Sequence, residues 1–363
     1  MPIFVHKTTK EILADDEVNE NIASIYEKEG SDCWFSDDPQ RFLGDRYKAE
    51  DYDKISDIVE VWFDSGCTHA FVLEKREDLQ WPASMYLEGS DQHRGWFHSS
   101  LLESCGTRGR APYESILSHG FVVDDKGLKM SKSVGNVIAP EDILKKYGAD
   151  ILRIWVASSN YEEDLRIDYS ILEQHADSYR KIRNTFRYLL GNLNDDFKKI
   201  DFEKLDLNQL PELEQYMLHR VYDLNENFKN YFKSYDFHNL YKELVNFCTV
   251  DLSAFYFDIR KDALYCDSKD SERRKSSIVV LNIILESLIK WFAPILSFTT
   301  EEIFTLISKD KKSIHLEKFI EFPKSFENEK LNKKWKELKK IRDICNISIE
   351  AKRASKEIGS SLE

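Results

Sequence analysis

Several features are missing from this 363-residue sequence, and each absence narrows the class of protein. No apolar run approaches the roughly 20 residues that a transmembrane helix needs, so we expect no membrane partner. The six cysteines form no Cys-x-x-Cys pair, so we expect reduced core residues with no zinc site and no disulfide framework. With 42% hydrophobic residues, the chain has enough apolar content for packed cores. We therefore expect a soluble, cytoplasmic protein, and the length favours two domains.

An overall excess of positive charge is also missing, since the formal net charge is −13. Residues 1–176 carry 19 Lys and Arg against 34 Asp and Glu, whereas residues 177–363 carry 33 against 31. This asymmetry favours a two-domain protein whose polyanion contacts, if there are any, lie in the second half. Two solvated surfaces without functional meaning would explain the charges equally well.

Alternating strand and helix patterns occupy the middle of the first half. Val59–Phe63, Met85–Leu87 and Ser115–Leu117 have the composition of short buried strands, and Phe121–Val123 follows as another. Residues 92–105, between the second and third strands, have helical spacing. A strand, a helix and a strand in this order predict a parallel pair with a crossover helix.

From Pro140 onwards the patterns are helical. Pro140 favours a helix start and Gly148 a break, while Ser170 and Glu173 have the spacing of a capping box. The helix that this box would begin is expected to end at Gly191. Further long helices are predicted over residues 211–232, 236–261, 272–307 and 328–347. The second half is therefore expected to be an all-α bundle.

A lysine-rich loop carries the strongest chemical signal. The segment His119–Asp124 contains the predicted strand Phe121–Val123 and leads to a turn and then to Lys129–Met130–Ser131–Lys132–Ser133. Two ammonium groups on such a loop can stabilise the negative charge of a leaving pyrophosphate. By composition alone, an ordinary solvated basic loop would explain the segment too.

Other segments narrow the interpretation. Lys129–Ser133 resembles the signature loop of class I aminoacyl-tRNA synthetases, and Val61–Gly66 and Leu87–Phe97 resemble segments of the bacterial isoleucyl-tRNA synthetases within that class. The resemblance continues through Arg183–Leu193, Asp251–Tyr256 and Ala293–Phe298. It covers essentially the whole chain.

The resemblance implies an α/β region, the second half of a Rossmann-like parallel nucleotide-binding fold, followed by an all-α helical bundle. It divides the chain into a connective segment at the end of an editing insert (1–55), the half of the catalytic domain that carries the lysine loop (56–140), a helical stem-contact linker (141–170) and an anticodon-binding domain (171–363). The last is expected to stop before the family's zinc-binding region.

The implied function is ATP-dependent activation of isoleucine and its transfer to tRNA(Ile), by a monomer that uses ATP with Mg²⁺. The resemblance places Trp62 and Trp96 in the amino-acid pocket, although aromatic residues in such elements are often simply core. A hydrophobic pocket separates isoleucine from valine by only ~1–3 kcal/mol, which is why the family edits its products.

The resemblance also implies an ATP and adenylate site. Its members are Glu88, Gly89, Asp91, Gln92, His119, Gly120 and Lys132. Lys132 is the expected essential lysine, with Lys129 supporting it. Independently of the resemblance, the carboxyl end of a parallel strand is where ligands bind in such sheets. Asp91 and Gln92 would equally serve as helix caps, and His119 as a packing residue.

Helical spacing puts Arg180, Arg183 and Arg187 on one face, where we expect contacts with tRNA phosphates. The family's other signature, His-x-Gly-His, does not occur in the sequence. We therefore expect this chain alone to be inactive in adenylation. A non-catalytic tRNA-binding module and a valine-specific enzyme are the alternatives.

Overall fold

The computed structural model describes residues 1–193, 197–308 and 312–359, and the chain divides into two compact units, Met1–His119 and Gly120–Glu363. The domain boundaries proposed above stay predictions. The elements of the first unit are β1 (Phe4–His6), α1 (Asp16–Glu29), α2 (Cys33–Ser36), α3 (Pro39–Leu43), β2 (Tyr52–Lys54), α4 (Val61–Gly66), β3 (Tyr86–Gly89), α5 (Trp96–Arg108) and β4 (Ile116–His119).

The start of the first unit has a small core of its own. Asp15 caps α1, since its Oδ1 accepts hydrogen bonds from the backbone of Glu17 and Val18 at 3.0 and 3.2 Å. The antiparallel pair β1–β2 and the three helices enclose Trp34, whose ring contacts those of Phe4 and Phe42. The remainder of the unit consists of α4, β3, α5 and β4 and the segments that join them.

The predicted strand–helix–strand unit is confirmed. Strands β3 and β4 are parallel, with Tyr86 opposite Ile116 and Gly89 opposite His119. A 3₁₀ turn over Ser90–Arg94 leads from β3 into α5. The carboxyl ends of both strands therefore lie at the same edge.

The prediction of a buried strand over Val59–Phe63 is wrong. The segment instead enters helix α4, where the Glu60 carboxylate caps the start by accepting from the Trp62 N–H at 2.7 Å. Val61 and Phe63 are 66% and 50% exposed. A short apolar run fits a strand or a helix equally well, and here the capping carboxylate favours the helix.

The second unit is mainly helical. Its elements are β5 (Val122–Val123), α6 (Pro140–Tyr147), α7 (Ala149–Ser158), β6 (Leu165–Arg166), α8 (Tyr169–Leu193), α9 (Glu212–Ser234), α10 (Phe237–Asn246), α11 (Phe257–Tyr265), α12 (Glu272–Phe292), α13 (Ser297–Ile307) and α14 (Glu329–Ala354). Strands β5 and β6 pair in parallel, and wide π-helical turns over Phe247–Tyr256 join α10 to α11. The fold class, a parallel α/β region followed by a helical bundle, is confirmed.

Pro140 begins α6 and Gly148 ends it, as predicted. The capping-box prediction is wrong, because Asp168 caps α8 by accepting from the Ile171 N–H at 2.7 Å. The helix also runs past Gly191 to Leu193.

The single helix predicted over 272–307 is two helices, α12 and α13. Pro294 lies between them and has no N–H for the helical ladder.

One continuous apolar core runs through the second unit from Ile143 to Leu331 and includes Trp155 of α7 as well as Trp291 of α12. Residues of the predicted linker 141–170 thus share a core with the bundle. The cysteines were expected to be core residues, which is wrong for Cys105, Cys266 and Cys345, because all three are exposed. None of the helices in the described ranges combines the length and the apolar character that a bilayer crossing needs.

Glu214 of α9 has a fully buried side chain that joins three segments of the bundle. Its carboxylate accepts two hydrogen bonds from the Arg260 guanidinium, at 2.6 and 2.5 Å. Tyr256 and Ser277 each donate a hydroxyl at 3.1 Å. The buried charge is therefore both paired and hydrogen-bonded, as burial requires.

A second buried carboxylate, that of Asp150 in α7, holds the start of α13. Its oxygens accept from the backbone N–H groups of Phe298 and Thr299 at 3.2 and 2.8 Å, and from the Thr299 hydroxyl at 2.6 Å. The same hydroxyl lies 2.9 Å from the Tyr179 hydroxyl of α8. The first N–H groups of a helix have no hydrogen-bond partner within that helix. Asp150 of α7 accepts from two such groups of α13, and the shared Thr299 hydroxyl links both helices to α8.

We predict that Asp150→Ala lowers the free energy of unfolding of the chain by about 2 kcal/mol, because the buried N–H and hydroxyl of Thr299 and the part-buried N–H of Phe298 lose their acceptor. Asp142→Ala is the matched control, since Asp142 lies exposed in the first turn of α6, and it should change stability by less than about 0.5 kcal/mol. Thermal unfolding followed by circular dichroism measures both. Equal shifts for the two variants would contradict the role given to Asp150.

Candidate active-site residues

The paired strand ends of the first unit bring several predicted residues together. Gly89 lies opposite His119 in the register, and Glu88 lies opposite Ser118. The Glu88 side chain is exposed. His93, which sequence reasoning had not selected, has its Nε2 3.3 Å from the Ser118 hydroxyl. The edge therefore presents the Glu88 carboxylate and the imidazoles of His93 and His119 around Gly89, which has no side chain.

Asp91 and Gln92 differ in their local roles. A Cβ on Gly89 would lie 2.7 Å from Asp91 Oδ1, so the Asp91 carboxylate folds back over the end of β3. Gln92 Oε1 accepts from the Trp96 N–H at 2.9 Å, which satisfies a donor at the start of α5. Gln92 therefore acts as a helix cap, and Asp91 remains exposed to solvent.

Trp62 and Trp96 both lie near the start of α5. The Trp96 ring stacks on Tyr86 with centroids 4.2 Å apart, and its indole N–H donates to the Ser65 carbonyl at 2.9 Å. Trp62 is 42% exposed, and its Cη2 would be 3.4 Å from a Cβ on Gly95. Trp96 is thus fixed by stacking and a hydrogen bond, whereas Trp62 keeps an open face and is not a core residue.

Gly120 begins the second unit in a space that only glycine fits. A Cβ there would lie 2.3 Å from the carbonyl oxygen of Glu163, which is backbone and cannot swing away. The Gly120 N–H donates to the Tyr161 carbonyl at 2.9 Å, and the next N–H, of Phe121, donates to the Asp164 carboxylate at 2.8 Å. Because Gly120 has no side chain, the start of β5 can pack against residues 161–164, which precede β6.

The lysine loop follows β5. Met130 packs against the core of the second unit, so the loop has a fixed apolar anchor. Lys129 is exposed and lies 5.4 Å from the centre of the Phe121 ring, a cation–π contact. Lys132 is exposed and makes no hydrogen bond or ion pair within the described part of the chain. Its charge is therefore available to a ligand.

The three arginines of α8 are all exposed, but they differ in their partners. Arg180 forms ion pairs with Glu173 and Asp177, and Arg183 donates to the Tyr179 hydroxyl at 3.2 Å. Arg187 makes no ion pair or hydrogen bond with the described residues. Of the three, it has the guanidinium that is most available to an external anion.

A cavity of about 350 Å³ next to Arg187 was not foreseen from the sequence. It is lined by Asn184, Arg187, Tyr188, Gly191, Asn192 and Tyr265. Tyr265 is 63% exposed, and its hydroxyl lies 3.5 Å from Asn192 Nδ2. Burial in the bundle raises the pKa of Tyr188, whose ring stacks on Phe257 at 4.1 Å. Among the described residues, no carboxylate lines this cavity.

Two family models match the chain. Residues 1–168 match the class I tRNA synthetases of the I, L, M and V group, and residues 214–363 match the anticodon-binding domain of tRNA ligases. The isoleucine–tRNA ligase of Pelagibacter ubique (strain HTCC1062) is 91% identical over all 363 residues. The chain belongs to the class I tRNA synthetases.

The chain spans 40% of the length of this Pelagibacter relative. The isoleucine–tRNA ligase of Mesorhizobium japonicum is 50% identical over 353 residues, which are 97% of this chain and 35% of that protein. The curated relatives of this synthetase chain are thus more than twice its length.

Two solved structures share the fold at low sequence identity. The ternary complex of Agrobacterium radiobacter K84 agnB2 LeuRS with tRNA and LeuAMS aligns with a TM-score of 0.68 and 15% identity, over 90% of this chain and 41% of that one. Mycobacterium tuberculosis methionyl-tRNA synthetase with methionyl-adenylate aligns with a TM-score of 0.58 and 15% identity, over 85% and 67%. Both support the synthetase fold.

We predict that Gly120→Ala destabilises the second unit by about 1–3 kcal/mol, because the added methyl group meets backbone atoms. Gly191→Ala is the control, because a Cβ on this helical glycine meets nothing within 4 Å. It should stabilise the chain by about 0.5–1 kcal/mol, the gain that alanine brings over glycine inside a helix. Thermal unfolding distinguishes the two, and a neutral Gly120→Ala would contradict the packing described here.

Proposed function

We propose that the chain is a segment of an isoleucine–tRNA ligase, which activates isoleucine with ATP and transfers it to tRNA(Ile). The observation that carries this proposal is the 91% identity to such a ligase over all 363 residues. The exposed lysines of the loop and the strand-end residues support the proposal, because their chemical groups suit this activity.

In the first step, the carboxylate of isoleucine attacks the α-phosphorus of ATP, an isoleucyl-adenylate forms and pyrophosphate leaves. Negative charge increases on the departing pyrophosphate, so a nearby ammonium group lowers the barrier. We assign this role to Lys132, with Lys129 in support. The Lys129 ammonium group already makes a cation–π contact with the Phe121 ring, which fits a secondary role.

We assign the adenylate contacts to the edge formed by β3 and β4, with Gly120 next along the chain. The Asp91 carboxylate lies over Gly89, at the strand end where such sheets bind ligands, and it is a suitable acceptor for ribose hydroxyls. Glu88 and His119 lie at the same edge. Gln92 would act indirectly, by fixing the start of α5.

We assign the isoleucine side chain to Trp62 and Trp96. An indole face that remains partly exposed, as in Trp62, offers apolar area to a branched aliphatic group. Such a surface separates isoleucine from valine by only ~1–3 kcal/mol. Full selectivity therefore depends on editing, for which we assign no residue in this chain.

Within residues 1–193, 197–308 and 312–359, no three His, Cys, Asp or Glu side chains are grouped so that they could hold a metal ion. We propose that Mg²⁺ arrives bound to the phosphates of ATP. A monomeric enzyme in the cytoplasm stays the expectation from the family.

The test is isoleucine-dependent ATP–pyrophosphate exchange by a chimera, in which this chain replaces the matching segment of the Pelagibacter ligase. We expect activity with isoleucine well above that with valine in the chimera, and none in the isolated chain. A folded but inactive chimera would contradict the proposal and favour a non-catalytic tRNA-binding module. Equal activation of valine and isoleucine would contradict the specificity.

Within this chimera, we predict that Lys132→Ala lowers the exchange rate by about 100-fold or more, as expected when a transition-state charge contact is lost. Lys126→Ala is the matched control, since Lys126 is an exposed lysine of the same hairpin. It should keep nearly full activity. Similar rates for Lys132→Ala and the unmodified chimera would rule out the assignment, and circular dichroism checks that both variants fold.

For tRNA, we predict that Arg187→Ala weakens binding to this chain severalfold and reduces the slope of log affinity against log salt by about one, the loss of one phosphate contact. Arg180→Ala should change the slope much less, because Glu173 and Asp177 already neutralise that guanidinium. Filter binding or fluorescence anisotropy at several salt concentrations measures both. Equal slopes for the two variants would contradict the ranking.

A further inference from the structure

The lysine loop is closed by two side chains that no assignment above uses, Asp124 and Asn136. Asp124 follows β5 and begins a tight hairpin, in which its N–H donates to the Leu128 carbonyl at 3.0 Å. Its carboxylate Oδ1 accepts from the backbone of Lys126 and Leu128 at 3.0 and 2.8 Å. This turn delivers the chain to Lys129, which pairs with Val123 in an isolated bridge.

Asn136 lies on the far side of the loop and reaches back across it. Its Oδ1 accepts from the Ser131 N–H at 2.9 Å, and its Nδ2 donates to Asp124 Oδ2 at 2.9 Å. A third, longer bond of 3.4 Å joins Nδ2 to the Lys129 carbonyl. One amide therefore connects the beginning, the middle and the end of the segment that carries both lysines.

Burial divides the loop into a partly buried part and an exposed part. Asp124 and Asn136 are half-buried, and Met130 and Ile138 pack against the core of the unit. Lys132, Ser133 and Val134 are exposed between these anchors. The hydrogen bond from Asn136 is also the largest cause that holds the pKa of the Asp124 carboxyl below its usual value. The carboxylate is thus charged and bonded at neutral pH.

We propose that Asp124 and Asn136 are positioning residues, a clamp that holds the Lys129–Ser133 loop in the shape that presents its lysines to the triphosphate. This inference rests on the proposed adenylation function. Fixing a flexible loop before the substrate binds removes the entropy cost of ordering it in the transition state, so a broken clamp should lower catalysis while both lysines remain. Neither clamp residue needs to touch ATP.

The chemistry of the pair suggests a sharp test by exchange of the two residues. Asn136→Ala removes all three bonds, and Asn136→Asp places two carboxylates at hydrogen-bond distance, where their charges repel. In the double variant Asp124→Asn/Asn136→Asp, the donor and the acceptor change places. The new amide can donate to the new carboxylate, whose other oxygen can still accept from the Ser131 N–H. Only the longer bond to the Lys129 carbonyl is not restored, because a carboxylate cannot donate.

In the chimera, we expect Asn136→Ala and Asn136→Asp to lower kcat for isoleucine-dependent pyrophosphate exchange, or to raise the KM for ATP, by about 10-fold to 100-fold. The KM for isoleucine should not change, and the double variant should recover part of the loss, because two of the three bonds can form again. Asn160→Ala is the matched control, because this exposed asparagine accepts only a local hydrogen bond from the Glu162 N–H. It should behave like the unmodified protein.

A second measurement does not depend on activity. In the isolated chain, amide hydrogen exchange at Leu128 and Ser131 should accelerate in Asn136→Ala and return toward the original rate in the double variant. Unchanged exchange and unchanged kinetics in Asn136→Ala would overturn the clamp, and so would a double variant no better than Asn136→Asp. If the unmodified chimera is inactive, the proposed function fails, and the catalytic part of this inference fails with it.

Discussion

The buried carboxylate of Asp150 is the contact on which the architecture of the second unit depends. It lies in α7, the second helix after the lysine loop, and it accepts the first free N–H groups of α13, about 150 residues further along the chain. Nearby, Arg153 donates to the carbonyls of Pro294 and Ile295 at 2.5 and 2.9 Å. The break between α12 and α13 is thus fixed against α7. Because Met130 packs on the same core, the loop is anchored to the bundle at this residue.

Charged groups in this chain follow two different physical rules. Inside the bundle, Glu214 is neutralised by Arg260 and satisfied by two hydroxyls, because an unpaired buried charge would be far too costly. Lys132 and Arg187 are the opposite case, since they are exposed cations without a partner among the described residues. Hydration stabilises such an exposed charge, so it needs no partner within the protein. Lys132 and Arg187 can therefore still pair with an external anion, whereas Glu214 cannot take a further partner without losing one of its own.

Prediction from sequence succeeded where local signals were strong and unambiguous. Pro140 and Gly148 set the ends of α6 because one fixes φ and the other adopts a positive φ of 85°. The parallel pair β3–β4 followed from the order of strand, helix and strand. Prediction failed where two local solutions compete: Val59–Phe63 turned into a helix under the Glu60 cap, and Asp168 displaced Ser170 as the cap of α8.

The sequence by itself determined the family, the succession of α/β region and helical bundle, and the residues with the right chemistry, because these depend on short motifs and on periodicity along the chain. Tertiary structure decided which of those residues are available. Arg180 and Arg187 are equivalent in helical spacing, yet Glu173 and Asp177 neutralise only the first. Gln92 caps a helix, whereas Asp91 stays exposed to solvent and, among the described residues, accepts only from Gln92 Nε2, at 3.2 Å; the hairpin brings Asn136 within hydrogen-bond distance of Asp124. A side chain is available to a ligand when no partner group of the same chain lies within about 3 Å of it. That depends on which distant residues the fold brings together, and periodicity along the chain does not contain this information.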